Sequence, residues 1–175
     1  LCFMDRVVSV TIEDNRNGNH SYKIERKSQT ENQLSFSVMK DGCLEELDFA
    51  VFCYNDTSTA FQYQENHIMP YPEGMSRMFC GLPLVGMENI GMPFILNSLE
   101  FEPEQERDGI AFDPTANPEN LKILKDSVHL YEIVLNYVEK NKLRNAYHLT
   151  KMAKRYNGSQ TSRTKFCEVG IEGYK

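Results

Sequence analysis

One short charged segment offers the most obvious chemistry in this chain. Arg107 is its only cation and stands just before the apolar residues 110–112. Five carboxylates lie around this arginine, at Glu100, Glu102, Glu104, Glu106 and Asp108. A guanidinium is planar, stays charged and donates two parallel hydrogen bonds, which suits it to phosphate or carboxylate binding. Arg107 is therefore the leading candidate side chain, and the alternative is a surface ion pair worth ~0–1 kcal/mol.

The carboxylates have their own alternatives. Paired carboxylates hydrolyse glycosidic bonds, and oxygen clusters bind Ca²⁺. The D-x-[DN]-x-[DN]-G spacing of a calcium loop is missing, and such charge runs are typical of a solvated loop. We therefore expect solvated loop charges and no metal site.

Cysteine and histidine placement gives no metal or nucleophile motif. The five cysteines are Cys2, Cys43, Cys53, Cys80 and Cys167, with no C-x-x-C and no nearby histidine pair, which excludes the spacing of zinc ribbons and fingers. The odd count, and apolar runs around Cys53 and Cys80, favour buried free thiols in a reducing compartment. A cysteine nucleophile needs a partner base, and the sequence pairs no cysteine with any histidine. The expected location is cytoplasmic.

Charge and hydropathy limit the partners. A formal net charge of -6 argues against nucleic acid, which needs a basic face. A local basic zone late in the chain reads as a solvated helix end: Lys151, Lys154, Arg155, Arg163 and Lys165. No apolar run approaches the ~18–20 residues of a membrane span, and Asp5 and Arg6 interrupt any signal peptide. We expect a soluble chain with neither nucleic-acid nor membrane partners.

The first part of the chain alternates between apolar and polar residues. Residues 8–12, 22–24 and 34–38 show the period of half-buried strands, and 43–54 returns after Asp41-Gly42, a favoured two-residue hairpin turn. The pattern predicts an antiparallel four-stranded meander over 6–54. A less regular connection is expected over 55–75, and then strands over 78–85 and 92–101, with prolines at strand starts or edges.

Helical periodicity follows the sheet. Asn117-Pro118 predicts an N-cap and first helical residue, and one stripe is expected to be buried: Leu121, Leu124, Val128, Tyr131, Leu135 and Val138. A second helix is expected with Leu143, Ala146, Tyr147 and Ala153 inward and Asn157-Gly158 as its C-cap. The sequence thus predicts one α+β domain over 1–158, sheet-rich over 6–113 and helical over 117–157, with an antiparallel or mixed sheet and two C-terminal helices. Residues 159–175 form a polar tail or the start of a following segment.

Five methionines leave one question open. Met69, Met75, Met78, Met87 and Met92 fall close together. Methionine adapts to promiscuous binding surfaces, but it also fills cores. We expect core filling, with a binding surface as the alternative.

Nucleotide and hydrolase signatures are missing from the sequence. It contains no G-x-x-x-x-G-K-[ST], G-x-G-x-x-G, H-E-x-x-H or G-x-S-x-G. However, four parts of the chain together resemble one segment of a known protein family: FCGLPL at 79–84, MPFILN at 92–97, Phe101 and RDGI at 107–110. This segment follows the nucleotide-binding domain in sacsin-like relatives of the heat-shock chaperone ATPases, within the GHKL superfamily.

This resemblance implies a fold and a role. The family's middle domain has a ribosomal-protein-like βαβ core, and its arginine reaches the γ-phosphate of ATP in the preceding domain. By that match Arg107 contacts the phosphate, and Asn97, Glu106 and Asp108 belong to the supporting loop. ATP and Mg²⁺ are implied for the longer protein, with no cofactor held by this chain.

The departures from the family concern the ATP site itself. Residues 1–175 lack the water-positioning acid, the Mg²⁺-binding asparagine, the D-x-G-x-G adenine loop and the glycine-rich lid. No initiator methionine opens the chain, so we expect a fragment, not catalytic alone, whose upstream partner is an ATPase domain. The predicted function is an accessory middle domain of a chaperone-like ATPase that also offers a surface to a client or partner protein. The alternative is a stand-alone interaction module, binding through the 6–54 sheet or the 117–156 helices without nucleotide.

Overall fold

The chain folds as a mixed sheet followed by one long helix. The structure is a computed structural model that describes residues 2–3, 9–14, 16, 20–88, 90, 92–110, 115 and 117–150. Its strands are β1 (Ser9–Asp14), β2 (His20–Gln29), β3 (Gln33–Lys40), β4 (Cys43–Tyr54), β5 (Thr57–Gln64), β6 (His67–Ile68), β7 (Met78–Cys80), β8 (Leu82–Pro83) and β9 (Leu96–Asn97). Helix α1 spans Pro118–Lys140, and a 3-10 helix spans Ala146–Leu149. The predicted α+β class is confirmed at this level.

Strands β1 to β4 form the predicted antiparallel meander. Val10 lies opposite Ile24, which in turn lies opposite Val38. Asp41 and Gly42 have φ angles of 51° and 82°, as a two-residue hairpin turn between β3 and β4 requires. The alternating pattern and the turn residues were therefore sufficient for this part of the fold.

The prediction of an irregular connection over 55–75 is wrong for its first half. Strand β5 pairs with β4 from Tyr54 opposite Thr57 to Asp48 opposite Tyr63. Asn55 has a φ of 48°, a conformation that asparagine tolerates in tight turns. Asn55-Asp56 is therefore a hairpin turn, and β6 then pairs with the far end of β5.

The two strands predicted over 78–85 and 92–101 are much shorter than expected. Only β7, β8 and β9 form, with Pro83 as the last residue of β8, and a proline there has no N–H to extend the pairing. β9 runs antiparallel to β5 and parallel to β7. The sheet order is β1-β2-β3-β4-β5-β9-β7-β8, with β6 beside β5, so a mixed sheet is confirmed.

Helix α1 begins at Pro118 as predicted, but Asn117 does not cap it. The Asn117 side chain makes no cap hydrogen bond and donates instead to the Glu102 carboxylate. A tertiary partner has replaced the local one that the sequence suggested.

The buried face of α1 is also rotated from the predicted stripe. Leu124, Tyr131 and Val138 are buried as expected, whereas Leu121, Val128 and Leu135 are only partly buried. The buried set is Asn120, Ile123, Leu124, Ser127, Leu130, Tyr131, Val134 and Val138. Asn120 and Ser127 escaped the apolar pattern because they are polar.

The predicted second helix is not confirmed. Lys142 and Asn145 have φ angles of 52° and 62°, and two left-handed residues so close together cannot belong to an α-helix. Leu143 and Ala146 pack against the core as expected, but Tyr147 is 60% exposed. Ala153, Asn157-Gly158, Cys167, the basic zone and the tail lie outside the described residues.

One face of the sheet packs on α1. The helix contacts β4 and β5, where the Phe52 ring meets the Tyr137 ring edge-on at 4.9 Å. Phe94 stacks on Tyr131 at 4.9 Å with 6° between the ring planes. These aromatic pairs hold α1 against β4 and against the segment that precedes β9.

Among the described helices, none is long and apolar enough to cross a membrane.

Candidate functional site

Arg107 sits at the tip of a closed loop. Pro103 and Ile110 form an antiparallel bridge, and the Glu104 N–H donates to the Gly109 carbonyl at 2.9 Å. The Arg107 N–H then donates to the Glu104 carbonyl at 2.8 Å, and Arg107 takes a φ of 53°. The backbone therefore presents this residue at a defined turn position.

The side chain of Arg107 is exposed and bound to backbone. Its Nη2 donates to the Cys80 carbonyl at 3.2 Å, and no ion pair within the described ranges joins it to a carboxylate. The surface ion pair, which was the alternative role for Arg107, is therefore not formed with any described carboxylate. Glu106 is exposed and Asp108 is half-buried.

Asn97 serves the sheet and not the loop. It is 5% exposed, its Oδ1 accepts from the Gly81 N–H at 2.9 Å, and its Nδ2 donates to the Ser58 hydroxyl at 3.0 Å. These bonds join β9 to β5 and to the turn after β7. Asn97 and Arg107 therefore bind neighbouring backbone groups, at Gly81 and Cys80, and no described hydrogen bond joins their two side chains.

The charged loop is anchored to the start of α1. The Glu102 N–H donates to the Asn120 Oδ1 at 2.9 Å, and the Asn120 Nδ2 donates to the Glu102 carbonyl at 3.1 Å. This pair of bonds, with the Asn117 amide on the Glu102 carboxylate, fixes one side of the loop.

Three exposed apolar residues lie near the Arg107 loop. Leu82, Val85 and Leu99 are 56%, 69% and 68% exposed. The Val85 N–H donates to the Arg107 carbonyl at 3.1 Å, while Leu99 Cδ2 lies 3.1 Å from where a Cβ on Gly81 would stand. These contacts place all four residues in one neighbourhood, which we call the Arg107 surface: Leu82, Val85, Leu99 and Arg107.

A second feature, which the sequence did not reveal, is a cavity of about 310 Å³. Its wall includes Phe49, Ala60 and Gln62, whose side chains project from the face of β4 and β5 opposite to Phe52 and α1. Met69 and Met75 also line it. By contrast Met78, Met87 and Met92 are buried, so core filling is confirmed for those three.

Three titratable groups in or next to the cavity wall have shifted pKa values: Tyr71 and Cys2, which line the cavity, and Arg77, which contacts the Tyr71 ring. Tyr71 lines the cavity and donates its hydroxyl to the Ala60 carbonyl at 3.0 Å, and burial raises its pKa. The Arg77 guanidinium carbon lies 4.4 Å from the centre of the Tyr71 ring, and burial lowers the pKa of Arg77. Burial also raises the pKa of the Cys2 thiol, which lines the cavity.

Arg77 is the least satisfied of these groups. Its Nε and Nη1 are buried without a hydrogen-bond partner in the described part of the chain. Stacking on Tyr71 compensates part of that cost by a cation–π contact. No sequence motif indicated Arg77, because the feature that distinguishes it, its contact with the Tyr71 ring, forms only in the folded chain.

Three further cysteines are described. Cys43 and Cys53 are exposed and Cys80 is half-buried, and none of the three is in a disulfide, so the predicted burial of Cys53 is wrong. Cys53 follows Phe52 in β4, and successive side chains of a strand project from opposite faces, so Cys53 points away from α1. His129 contacts Glu132 at 3.3 Å on the exposed side of α1. Among the described residues, no group of histidine, cysteine and acidic side chains is placed to hold a metal ion.

Comparison of the chain with protein-family models, curated proteins and solved structures found no match.

Proposed function

We propose that this chain is an accessory domain that docks against a second protein domain through the Arg107 surface. The observation that carries this proposal is the exposure of Leu82, Val85 and Leu99 beside an arginine that has no carboxylate partner among the described residues. Apolar side chains and arginine are characteristic of interface centres, while charged residues form the rim. The carboxylates of the charged loop would supply that rim.

In this proposal the docked domain is an ATPase domain of the heat-shock-chaperone-like GHKL type, upstream in a longer protein. The support comes from the resemblance of FCGLPL, MPFILN and RDGI to the segment that follows such a domain. The ATPase domain holds ATP and Mg²⁺, and this chain supplies Arg107 to the γ-phosphate.

The geometry of Arg107 is compatible with that task. A guanidinium carries five N–H donors, and the described hydrogen bond to the Cys80 carbonyl uses only Nη2. That bond orients the group while leaving donors for phosphate oxygens. Negative charge that develops on the phosphoryl oxygens in the transition state is stabilised by such a preorganised cation.

The role of Arg107 is tested in the longer protein. Arg107→Ala should leave folding and nucleotide affinity nearly unchanged but lower the ATPase rate, because arginine acts on transition-state charge. Arginines of this kind contribute ~10³–10⁵-fold in well-studied phosphoryl-transfer enzymes. Arg107→Lys should rescue poorly, since an ammonium lacks the bidentate fork. Equal rates for parent and variants at saturating Mg-ATP would exclude the phosphate role.

Docking is tested separately with a matched pair of variants. Leu82 and Leu44 are both 56% exposed, but only Leu82 belongs to the Arg107 surface. Calorimetric titration of the chain with the separately expressed ATPase domain should show at least about tenfold weaker binding for Leu82→Asp, because a carboxylate is costly to bury. Leu44→Asp should bind like the parent. Equal weakening by both would contradict docking through the Arg107 surface.

A second candidate is the stand-alone interaction module. It is favoured by Ile12, Met39 and Leu44, which are exposed at the outer end of the meander. Here the sheet itself binds a protein partner and nucleotide has no role. Binding of a purified partner that Leu44→Asp weakens and Leu82→Asp does not would support this candidate over the first.

The isolated chain provides one further check. We expect no micromolar binding of Mg-ATP, because residues 1–175 carry none of the family's adenine or Mg²⁺ motifs. Calorimetric titration that returned a micromolar dissociation constant would contradict the assignment of ATP to another domain.

A further inference from the structure

We propose that the cavity on the sheet face opposite to α1 binds a small, neutral, apolar molecule. Leu82 belongs both to the cavity wall and to the Arg107 surface, but the ligand proposed here does not depend on Arg107. Its volume of about 310 Å³ falls at the lower end of the ~300–1,000 Å³ typical of small-molecule sites. It is about twice the ~150 Å³ that holds benzene in an engineered protein cavity. The volume therefore suits a molecule of two aromatic rings or an equivalent aliphatic chain.

The chemistry of the lining selects a neutral ligand. Of the described residues that line the cavity, none is an aspartate, glutamate, lysine, arginine or histidine, and most are aromatic residues, prolines or methionines. An ion would therefore lose its hydration without gaining a partner. The ligand should be attracted mainly by the removal of apolar surface from water.

Three polar side chains on the wall do not alter this conclusion. The Tyr71 hydroxyl is already used by the Ala60 carbonyl. The Cys2 thiol stays protonated near neutral pH, because burial raises its pKa. Gln62, which is neutral, is half-buried on the wall and could accept or donate one hydrogen bond to a polar atom of the ligand.

The wall is built from parts that resist collapse. Strands β4 and β5 supply one side, and β7 and β8 supply Phe79, Leu82 and Pro83. Pro70 and Pro72 restrict the backbone of the segment between them. Tyr71 between these prolines is held by its hydroxyl bond and by the stacked Arg77. Met69 and Met75 can then adjust to the shape of a ligand, since methionine side chains are flexible and polarizable.

The test uses N-phenyl-1-naphthylamine, a neutral apolar dye whose fluorescence rises in apolar surroundings. Titration of the chain should show saturable, one-site binding. Met75→Trp adds a ring to the wall and should weaken binding at least about tenfold. Met39→Trp is the matched control, because Met39 is 44% exposed at the outer end of the meander, and it should bind like the parent.

A second measurement keeps the test independent of how the tryptophan variant folds. Alkylation of each cysteine in the parent chain is followed by mass spectrometry, with and without saturating dye. Cys2 lines the cavity and should react several-fold more slowly with dye bound, whereas exposed Cys43 should be unaffected. The proposal is overturned by non-saturable fluorescence, by equal protection of Cys2 and Cys43, or by unchanged affinity in a folded Met75→Trp variant.

Discussion

The meander has an outer half next to the Asp41-Gly42 turn, which includes 38–40 and 43–46, and an inner half at the other end of the same strands, which includes 33–36 and 47–54. The two halves differ in burial, with Leu34 and Phe36 on one face of the sheet and Met39, Leu44 and Phe52 on the other. Leu34, Phe36 and Phe52 in the inner half are 2–4% exposed, whereas Met39 and Leu44 in the outer half are 44% and 56% exposed. Pairing is continuous between the halves, since Met39 lies opposite Leu44 in the same register as Leu34 opposite Phe49. Alternation therefore specifies the strands, and the layers that cover them specify the core.

The largest expected effect tests the inner half. Phe52 is 3% exposed, and its ring lies 6.1 Å from Phe61 and 4.9 Å from Tyr137. Phe52→Ala should lower the free energy of unfolding by ~3–5 kcal/mol, because it removes a buried ring and leaves a cavity. Urea denaturation followed by circular dichroism measures this. A loss below about 1 kcal/mol would mean that α1 does not cover this half as described.

Helix α1, which packs over the inner half of the meander, provides a second test of the comparison. The sequence predicts equal burial for Leu124 and Leu135, but Leu124 is 3% exposed and Leu135 is only partly buried. Leu124→Ala should cost ~2–5 kcal/mol, and Leu135→Ala should cost clearly less because less apolar area is lost. Parallel thermal melts give the order. Equal costs would mean that Leu135 is buried as fully as Leu124, as the predicted stripe requires.

Asn97 tests how β9 is attached to the inner half. Asn97→Ala leaves the partly buried Gly81 N–H and Ser58 hydroxyl without this amide partner. The expected loss is ~1–3 kcal/mol in the free energy of unfolding, the cost of unpaired buried polar groups. Asn136, exposed on α1, is the control, and Asn136→Ala should change stability by no more than about 0.5 kcal/mol. Equal effects would contradict a structural role for Asn97.

The smallest effect is expected in the outer half. Leu44→Ala and Met39→Ala should each change the free energy of unfolding by less than about 0.5 kcal/mol, since both side chains remain largely hydrated. Chemical denaturation of the two variants beside the parent measures this. A loss comparable to that of Leu124→Ala would show that another layer covers the outer half in solution.

The sequence predicted the local parts of the fold. The meander, the Asp41-Gly42 turn and the start of α1 at Pro118 depend on residues close in the chain. The part of the sheet after β4 was harder to predict from the sequence. Asn55-Asp56 suits either a loop or a hairpin turn, and only the pairing of β5 with β4 decides between them. The rotation of α1 was missed because the predicted stripe left out the apolar residues Ile123, Leu130 and Val134. It was also missed because Asn120 and Ser127 are polar and become buried through hydrogen bonds.

The two candidate sites also differ in how far the sequence could predict them. Arg107 could be selected by its charge and its neighbours in sequence, but its hydrogen bond to the Cys80 carbonyl crosses 27 positions. The cavity joins β4, β5, the 69–75 segment and β7–β8, which are separated in sequence. The methionines and prolines of 69–75 were its only sequence signal.

The hydrated outer half has a consequence for local motion. No layer of the described residues packs over its hydrogen bonds, so opening there need not disrupt the aromatic contacts around Phe52. Amide protons near Asp41 and Gly42 should therefore exchange with deuterium faster than those at the α1 end of the same strands. Foreign peptide sequences inserted between Asp41 and Gly42 should accordingly be accommodated with little loss of the folded core, which makes this turn a practical place for a tag or probe.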